Sequence, residues 1–313
     1  MTLRDASPRE VDESRQRTLG VVYAFAAYVL WGVFPLYFIA LAPSTPAELV
    51  AWRVVLSLVV CVVLLTLTRG WGALRRIAGQ RRLLMLTALA GILIFVNWGV
   101  YVVATVTGHV IEASLGYFIN PLVTVLLAVL VVRERLRPAQ WAAVGIALVA
   151  VLVIVLGYGA FPWMSLTLAF SFGLYGLVKN RIGPAVDAVS GLTLETAWLT
   201  PVAVGILCWF AATSGLTLGT YGVWHTVLLS AAGVITAVPL LLFASGARRA
   251  PLSLVGLLQF LTPIMQFSMG VWVLHEPMPV ERWIGFGLVW VALVILSVDS
   301  VRSSRRAASV RPR

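Results

Sequence analysis

Successive runs of apolar residues constrain the fold of this chain more than any other feature of its sequence. Each run has about 20 residues, the length with which an α-helix crosses roughly 30 Å of hydrocarbon. Only 11% of the 313 residues are charged, whereas soluble domains have about a quarter. A soluble protein of this length has no core large enough for so much apolar sequence. The sequence therefore predicts an all-α membrane protein.

We predict ten transmembrane helices in two groups of five. Spans 1 to 5 lie at about residues 19–41, 47–68, 83–104, 110–132 and 139–157; spans 6 to 10 lie at about 161–178, 190–212, 224–245, 251–274 and 281–299. These groups make two domains, 19–157 and 158–299. Residues 1–18 are polar and mixed in charge, which is typical of a disordered tail, and residues 300–313 form a basic tail. The first run is a full span without a signal-peptide cleavage pattern, so we expect it to be retained.

Basic residues predict the orientation of the spans. All but two of the 23 Lys and Arg residues fall in the two tails and in the loops after spans 2, 4, 6 and 8. The exceptions are Arg53, inside span 2, and Arg282, at the opposite side. Since cytoplasmic loops carry the excess of Lys and Arg, both termini are predicted to be cytoplasmic. We expect the chain in the bacterial inner membrane.

The positions of the basic residues and the cysteines indicate which partners to expect. The net charge of +11 comes from loops and tails, and no basic patch is interleaved with aromatic residues, so we predict no nucleic-acid partner. Cys61 and Cys208 lie inside apolar spans, where thiols behave as small hydrophobes. We predict no metal site and no cofactor. The expected partners are a small-molecule solute and the lipid bilayer, with a monomer favoured and a homodimer left open.

The two groups of spans repeat one another. Residues 89–155 align without a gap on residues 231–297, an offset of 142. The matches include Gly91 with Gly233, Phe118 with Phe260, Pro121 with Pro263, Glu134 with Glu276, Trp141 with Trp283 and Gly145 with Gly287. Because each group has an odd number of spans, the second must enter the membrane from the opposite side. Inverted repeats are typical of alternating-access transporters, whose solute site lies between the halves near the membrane midplane.

Five segments make the chain similar to a known family. They are LWGVFPLYF (30–38), ELVAWRVVLSL (48–58), NWGVYVVATVTGHVIEASLGYFINPL (97–122), GLTLETAWLTP (191–201) and ARRAPLSLVGLLQFLTPIMQF (247–267). The chain resembles RarD proteins, members of the EamA group in the drug/metabolite transporter superfamily, over residues 19–299. The resemblance implies ten helices, a central cavity lined by both halves, and a permease or exporter role.

Spans 4 and 9 carry matched polar stripes. The stripe of span 4 is Ser114, Tyr117, Pro121 and Thr124, and that of span 9 is Gly256, Gln259, Pro263 and Gln266. Spacings of three and four residues place each stripe on one helix face. Both stripes can line a solute cavity, with kinks at Pro121 and Pro263, or they can serve helix packing.

Further candidate solute contacts lie in spans 3, 4 and 6. Asn97 and Tyr101 are one turn apart, and Asn120 and Tyr175 place polar groups in spans 4 and 6. These side chains can face the cavity or form hydrogen bonds between helices. Lys179, at the end of span 6, is expected to extend toward the membrane interface.

Three charges lie within or at the ends of spans: Arg53, Glu112 and Glu195. A charge near the bilayer centre costs roughly 2.5–3.5 kcal/mol, so such residues are functional candidates. Arg53 and Glu112 are both predicted one or two turns from the periplasmic face, which suggests an ion pair between them. Glu195 enters from the cytoplasmic side and is a candidate counterpart. Gating and structural roles both stay open.

Enzyme activity and a membrane role without coupled transport are the other functions to consider for this sequence. The chain lacks a GxSxG serine, a pair of buried aspartates and an HExxH motif, so we predict no enzyme activity. The alternative is a membrane sensor or scaffold, or a channel, without coupled transport. A lining rich in Trp and Tyr suits a small metabolite or a drug-like solute.

Overall fold

A computed structural model describes residues 8–127, 129–130, 137–158, 161–250 and 252–310, and these residues contain helices and no strand. The first half consists of α1 (Pro8–Gly32), α2 (Phe34–Ile39), α3 (Pro46–Leu67), α4 (Trp71–Ala78), α5 (Arg81–Val106), α6 (Val110–Leu127) and α7 (Pro138–Tyr158). The second half consists of α8 (Trp163–Ile182), α9 (Ala188–Thr213), α10 (Gly222–Ser230), α11 (Ala232–Arg249), α12 (Leu252–Leu258), α13 (Leu261–Trp272) and α14 (Val280–Val310).

The helices begin and end on local sequence signals. At the start of α3, the side chain of Thr45 accepts a hydrogen bond from the backbone N–H of Glu48, with Pro46 at the first helical position. At the start of α9, Asp187 caps the N–H of Ser190 in the same way. These caps satisfy backbone groups that a helix end leaves without an intrahelical partner.

Nine segments of the described chain are long and apolar enough to cross a membrane. They correspond to all predicted spans except span 6. The helix in that position, α8, has 20 residues but is less apolar, because it carries serines, Tyr175 and the cluster Lys179–Arg181. That α8 also crosses the bilayer stays a prediction.

The ends of the chain differ from the predicted tails. The first helix begins at Pro8, so residues 8–18, predicted to be disordered, continue α1. Proline is favoured at the first position of a helix, which gives a local reason for the start. Likewise α14 runs through most of the predicted basic tail, to Val310.

Prolines in the two repeat-related spans have different surroundings. Pro121 lies inside α6. Span 9 is divided into α12 and α13 at residues 259–260, one turn before Pro263. A proline has no N–H to donate to the carbonyl four residues earlier, which here belongs to Gln259. The missing hydrogen bond permits the interruption but does not by itself cause it, because Pro121 at the matched position leaves α6 continuous.

Helices of the two halves pack against each other throughout the molecule. The closest helix pairs between halves are α3 with α9, α7 with α14, α1 with α11, α5 with α8, and α6 with α8. A Cβ atom at Gly91 of α5 would lie 3.0 Å from the backbone oxygen of Glu195 in α9, and one at Gly233 of α11 would overlap the backbone of Leu56 in α3. The core between the halves therefore depends on close backbone contacts at small residues.

Candidate functional site

Arg53 of α3 is buried among aromatic rings. Its Cζ atom lies 4.2 Å from the centre of the Trp98 ring and 5.5 and 5.6 Å from those of Phe34 and Phe38. Its Nε donates a hydrogen bond of 2.9 Å to the hydroxyl of Thr236 in α11. Its Nη1 atom is buried without a hydrogen-bond partner among the described residues. The residue is only 5% exposed, so its charge lies away from bulk solvent.

Gln266 of α13 lies in the same aromatic region. Its Nε2 donates to the Tyr101 hydroxyl (2.9 Å) and to the backbone oxygen of Trp31 (3.1 Å). Its Oε1 is buried and accepts no hydrogen bond within the described part of the chain. Phe38 contacts both ends of this region, since its ring centre is 6.0 Å from that of Tyr101 and 5.6 Å from Arg53 Cζ. Arg53 and Gln266 are thus joined by one continuous aromatic wall.

Asn97 connects three helices. Its Nδ2 donates to the backbone oxygen of Leu168 and to the hydroxyl of Ser171, both at 3.1 Å. Its Oδ1 accepts from the Tyr117 hydroxyl at 3.2 Å. Both ends of the amide are therefore occupied by protein groups. In this structure Asn97 and Tyr117 hold α5, α6 and α8 together, the alternative that the sequence left open beside solute contact.

Glu195 of α9 forms a complete ion pair inside the protein. Its Oε1 lies 2.7 Å from the Lys179 ammonium, and its Oε2 accepts from the Tyr175 hydroxyl at 3.2 Å. Glu195 is 1% exposed and the Lys179 side chain 32%. Lys179, predicted to extend to the interface, instead turns toward α9. We call these three residues the Glu195 cluster.

The suggested pair of Arg53 with Glu112 is wrong. Glu112 Oε1 accepts the backbone N–H of Met164, in the first turn of α8. It lies in the first turn of α6, where its carboxylate reaches the positive end of the neighbouring helix. Within the described residues Arg53 forms no ion pair with Glu112, and its side chain contacts Thr236 and aromatic rings instead.

A polar network at the predicted periplasmic end was missed by the sequence analysis. Glu48 Oε1 accepts hydrogen bonds from the backbone N–H (2.8 Å) and hydroxyl (2.9 Å) of Thr217. The Ser44 hydroxyl lies 2.6 Å from that of Thr217 and 2.9 Å from His225 Nε2. Ser44 and Glu48 belong to the first half, and Thr217 and His225 to the second. No spacing in the sequence relates these four residues.

Glu276 fastens the halves at a second point of the same end. Its two carboxylate oxygens accept the backbone N–H groups of Val110 (2.6 Å) and Ile111 (2.9 Å), at the start of α6. A carboxylate in this position satisfies free N–H groups and the helix dipole together. Its repeat partner Glu134 lies outside the described residues.

The polar residues of the repeat stripes differ in exposure along the membrane axis. Ser114 and Gln266 are fully buried. Asn120 is half-buried, and Thr124 and Gln259 are exposed. The exposed members lie nearer the predicted cytoplasmic face, since α6 runs toward that face and α12 begins there. Thr124 donates a hydrogen bond to Asn120 Oδ1, so the two residues present one polar surface.

Comparison with known proteins agrees with this architecture. The pattern of the EamA-like transporter family matches residues 18–156. Protein RarD of Streptomyces exfoliatus is 50% identical over 94% of this chain and 93% of its own length. The chain belongs to the RarD group of EamA-like transporters. Its RarD relative in Escherichia coli is 38% identical over 95% of this chain and 99% of its own.

Two further comparisons bear on this RarD-group chain. An uncharacterized transporter of Bacillus subtilis, YojE, is 41% identical over 93% of the chain and 97% of its own length. A protein of known crystal structure aligns with a TM-score of 0.57 at 20% identity, over 91% of this chain and 99% of its own, which shows a shared fold. The chain is therefore a multi-pass membrane protein of a transporter family.

Proposed function

We propose that this chain moves a small metabolite or drug-like solute across the bacterial inner membrane by alternating access. In this proposal ten helices form two inverted halves, with both termini in the cytoplasm. The solute occupies a central site between the halves. The proposal rests on one observation about the polar stripes. Ser114 and Gln266 are buried, whereas Thr124 and Gln259, nearer the predicted cytoplasmic face, are exposed.

The repeat is supported by equivalent contacts. Gly91 and Gly233, which the repeat matches, each bring their helix into backbone contact with the charge-bearing helix of the other half, α9 and α3 respectively. Helices at the same position in the two halves also pack against each other: α3 packs against α9, and α7 packs against α14. Such pseudo-symmetric packing is what two halves inserted in opposite senses require.

Contacts between the halves favour a state closed toward the periplasm. At the predicted periplasmic end, Glu48 with Thr217, Ser44 with His225, and Glu276 with the start of α6 all join one half to the other. Nearer the cytoplasmic face, Thr124 and Gln259 are exposed. The predicted cytoplasmic end also joins the halves, through the partly exposed pair of Arg137 and Asp299, but it leaves the polar stripe residues exposed, as one state of an alternating cycle requires.

We assign distinct roles to the predicted site residues. Tyr101, Gln266 and Arg53 line the inner part of the site, where polar atoms remain without partners. Asn120 and Gln259 line its cytoplasmic approach, with Pro121 and Pro263 allowing their helices to bend. Ser114, Asn97, Tyr117 and the Glu195 cluster hold helices in position and form the walls.

A reversible cross-link tests the cycle. The hydroxyls of Ser44 and Thr217 are 2.6 Å apart, which places both side chains within reach of a disulfide. The double variant Ser44→Cys/Thr217→Cys is made with Cys61→Ala and Cys208→Ser, so that only the new pair reacts. Comparative metabolomics of overexpressing and deleted cells identifies the solute, and proteoliposomes measure its flux. We expect oxidation to stop flux and reduction to restore it.

Single-cysteine variants provide the matched control, because oxidation should leave their flux unchanged. Oxidised protein that still transports at the reduced rate would contradict alternating access and favour a channel. Solute binding without flux in the reduced protein would favour a sensor or scaffold. Both outcomes are distinguishable within one preparation.

A further inference from the structure

We propose that Arg53 binds the carboxylate of the transported solute, so that the substrate class is a monocarboxylate with an apolar or aromatic body. This inference rests on the proposed transport function and adds the chemistry of its central site. Its starting point is a buried guanidinium whose charge no described acid balances.

The protein satisfies only part of Arg53. Nε donates to Thr236, and the aromatic rings of Trp98, Phe34 and Phe38 lie within 6 Å of Cζ. Glu48, five residues earlier on α3, directs its carboxylate to Thr217 and Trp52 instead. A guanidinium has five N–H groups in a fork that matches a carboxylate. The unpartnered Nη1 leaves part of this fork free for a bound anion.

Two other buried groups near Arg53 lack partners. Ser57, one turn along α3, has its hydroxyl buried without a hydrogen bond in the described part of the chain. Gln266 Oε1, on the far side of Phe38 and Tyr101, is likewise unpartnered. Buried polar groups in native proteins are nearly always hydrogen-bonded to protein, water or a ligand, so these unpartnered groups are available to a bound solute. The ligand needs an anionic group at Arg53, and a hydrogen-bond donor on its body can in addition bind Gln266 Oε1 without being required for binding.

The surroundings select a carboxylate over a phosphate. Arg53 is a single cation, and Thr236 and Ser57 are neutral. One positive charge balances a monoanion, whereas a phosphate dianion would keep an unbalanced charge in an apolar interior. The aromatic wall from Trp98 to Tyr101 offers apolar and ring contacts to the remainder of the solute. A carboxylate attached to an apolar body fits both parts.

Matched probes test this assignment. Phenylacetate, phenylacetamide and 2-phenylethylamine share one ring and nearly one shape, and at pH 7 they are an anion, a neutral amide and a cation. Phenyl phosphate serves as the dianion. Thermal unfolding of the detergent-purified full chain gives an apparent Kd for each probe, because a ligand of the folded state raises Tm with its concentration.

We expect phenylacetate to bind wild-type protein at least about tenfold more tightly than the other three probes. Arg53→Gln should bring the Kd values of phenylacetate and phenylacetamide within about twofold. Arg53→Lys should keep a weaker carboxylate preference, since an ammonium is a point charge without the fork. If Arg53→Gln does not fold, the Arg53→Lys variant and the wild-type series decide the question.

The inference is overturned if wild-type protein binds phenylacetamide as tightly as phenylacetate, binds none of the probes, or prefers phenyl phosphate. It is also overturned if the Arg53→Gln variant keeps the carboxylate preference. Flux separates this inference from the proposed function. If the protein transports its solute in proteoliposomes but binds the charged and neutral probes with equal Kd, only the carboxylate assignment is refuted. A chain that prefers phenylacetate but carries no flux refutes only transport.

Discussion

The two halves of the molecule each bury a charge about two turns into the second of their predicted spans, and the surroundings of the two charges are opposite in kind. Glu195 in α9 meets Lys179 at 2.7 Å and Tyr175 at 3.2 Å. Arg53 in α3 meets a threonine hydroxyl and three aromatic rings. α3 and α9 are the second predicted spans of the two groups and pack against each other. The second span thus carries a paired charge in one half and an unpaired charge in the other.

This difference separates structural from functional charges. A buried ion pair is strongly destabilised when one partner is removed, because the other charge stays buried alone. A buried cation without an acid already carries that cost in the solute-free protein. It persists where something other than stability selects it, and a solute anion is the partner that restores the balance.

The largest effect on stability is expected at Glu195. The substitution Glu195→Gln leaves Lys179 without its carboxylate, and we expect a loss of about 2 kcal/mol in the free energy of unfolding. This is below the cost for a fully buried pair, because the lysine side chain is partly exposed and can turn to the interface. Denaturant titration in detergent micelles measures the change.

The double variant Glu195→Gln/Lys179→Met is the control for that pair. Removing both charges should recover most of the lost stability, since no uncompensated cation remains. Equal destabilisation by the single and double variants would show that Glu195 stabilises the protein through other contacts, and the comparison of the two charges would then fail.

An intermediate effect is expected at the glycines that bring each charged helix into contact. Gly233→Ala forces a methyl group into the backbone of Leu56, beside Arg53, and should cost about 1–2 kcal/mol. Gly91→Ala meets the backbone of Glu195 at 3.0 Å and should cost less than about 1 kcal/mol. Gly205→Ala, with open space around the new atom, is the matched control. A larger loss of stability in Gly91→Ala than in Gly233→Ala would contradict the packing described for α11 and α5.

The smallest stability effect is expected at Arg53. Arg53→Gln removes a buried charge and its desolvation cost, and also loses contacts with Thr236 and the rings. These changes offset each other, so unfolding free energy should change by less than about 1 kcal/mol, measured by the same titration. A loss above about 3 kcal/mol would make Arg53 a structural clamp comparable to Glu195.

Most of the helical architecture could be predicted from the sequence. Apolar length alone placed the helices, because each must satisfy its backbone within the bilayer. Breaks such as the one at residues 259–260 and the early start at Pro8 depend on local backbone hydrogen bonds that a hydropathy pattern does not contain. Helix α8 is less apolar than the other spans because it contains Tyr175 and Lys179, which bind Glu195.

The sequence indicated which residues belong to the candidate site, but it did not indicate which residues they contact. Arg53, Glu112 and Glu195 were found because charges in apolar spans are costly. Their partners were not, since Lys179 is 16 residues from Glu195 and Glu112 binds the N–H of Met164, 52 residues away. The network of Ser44, Glu48, Thr217 and His225 joins helix starts and loops that no periodicity relates.

Solute flux in Arg53 variants shows directly whether this side chain binds the transported solute. Wild-type, Arg53→Lys and Arg53→Gln proteins are reconstituted at equal density, and uptake of the solute found by metabolomics is measured over a range of concentrations. If Arg53 binds the solute carboxylate, kcat/KM falls at least about thirtyfold in Arg53→Gln, mainly through KM, and less in Arg53→Lys. Wild-type flux in a folded Arg53→Gln protein would contradict this role of Arg53.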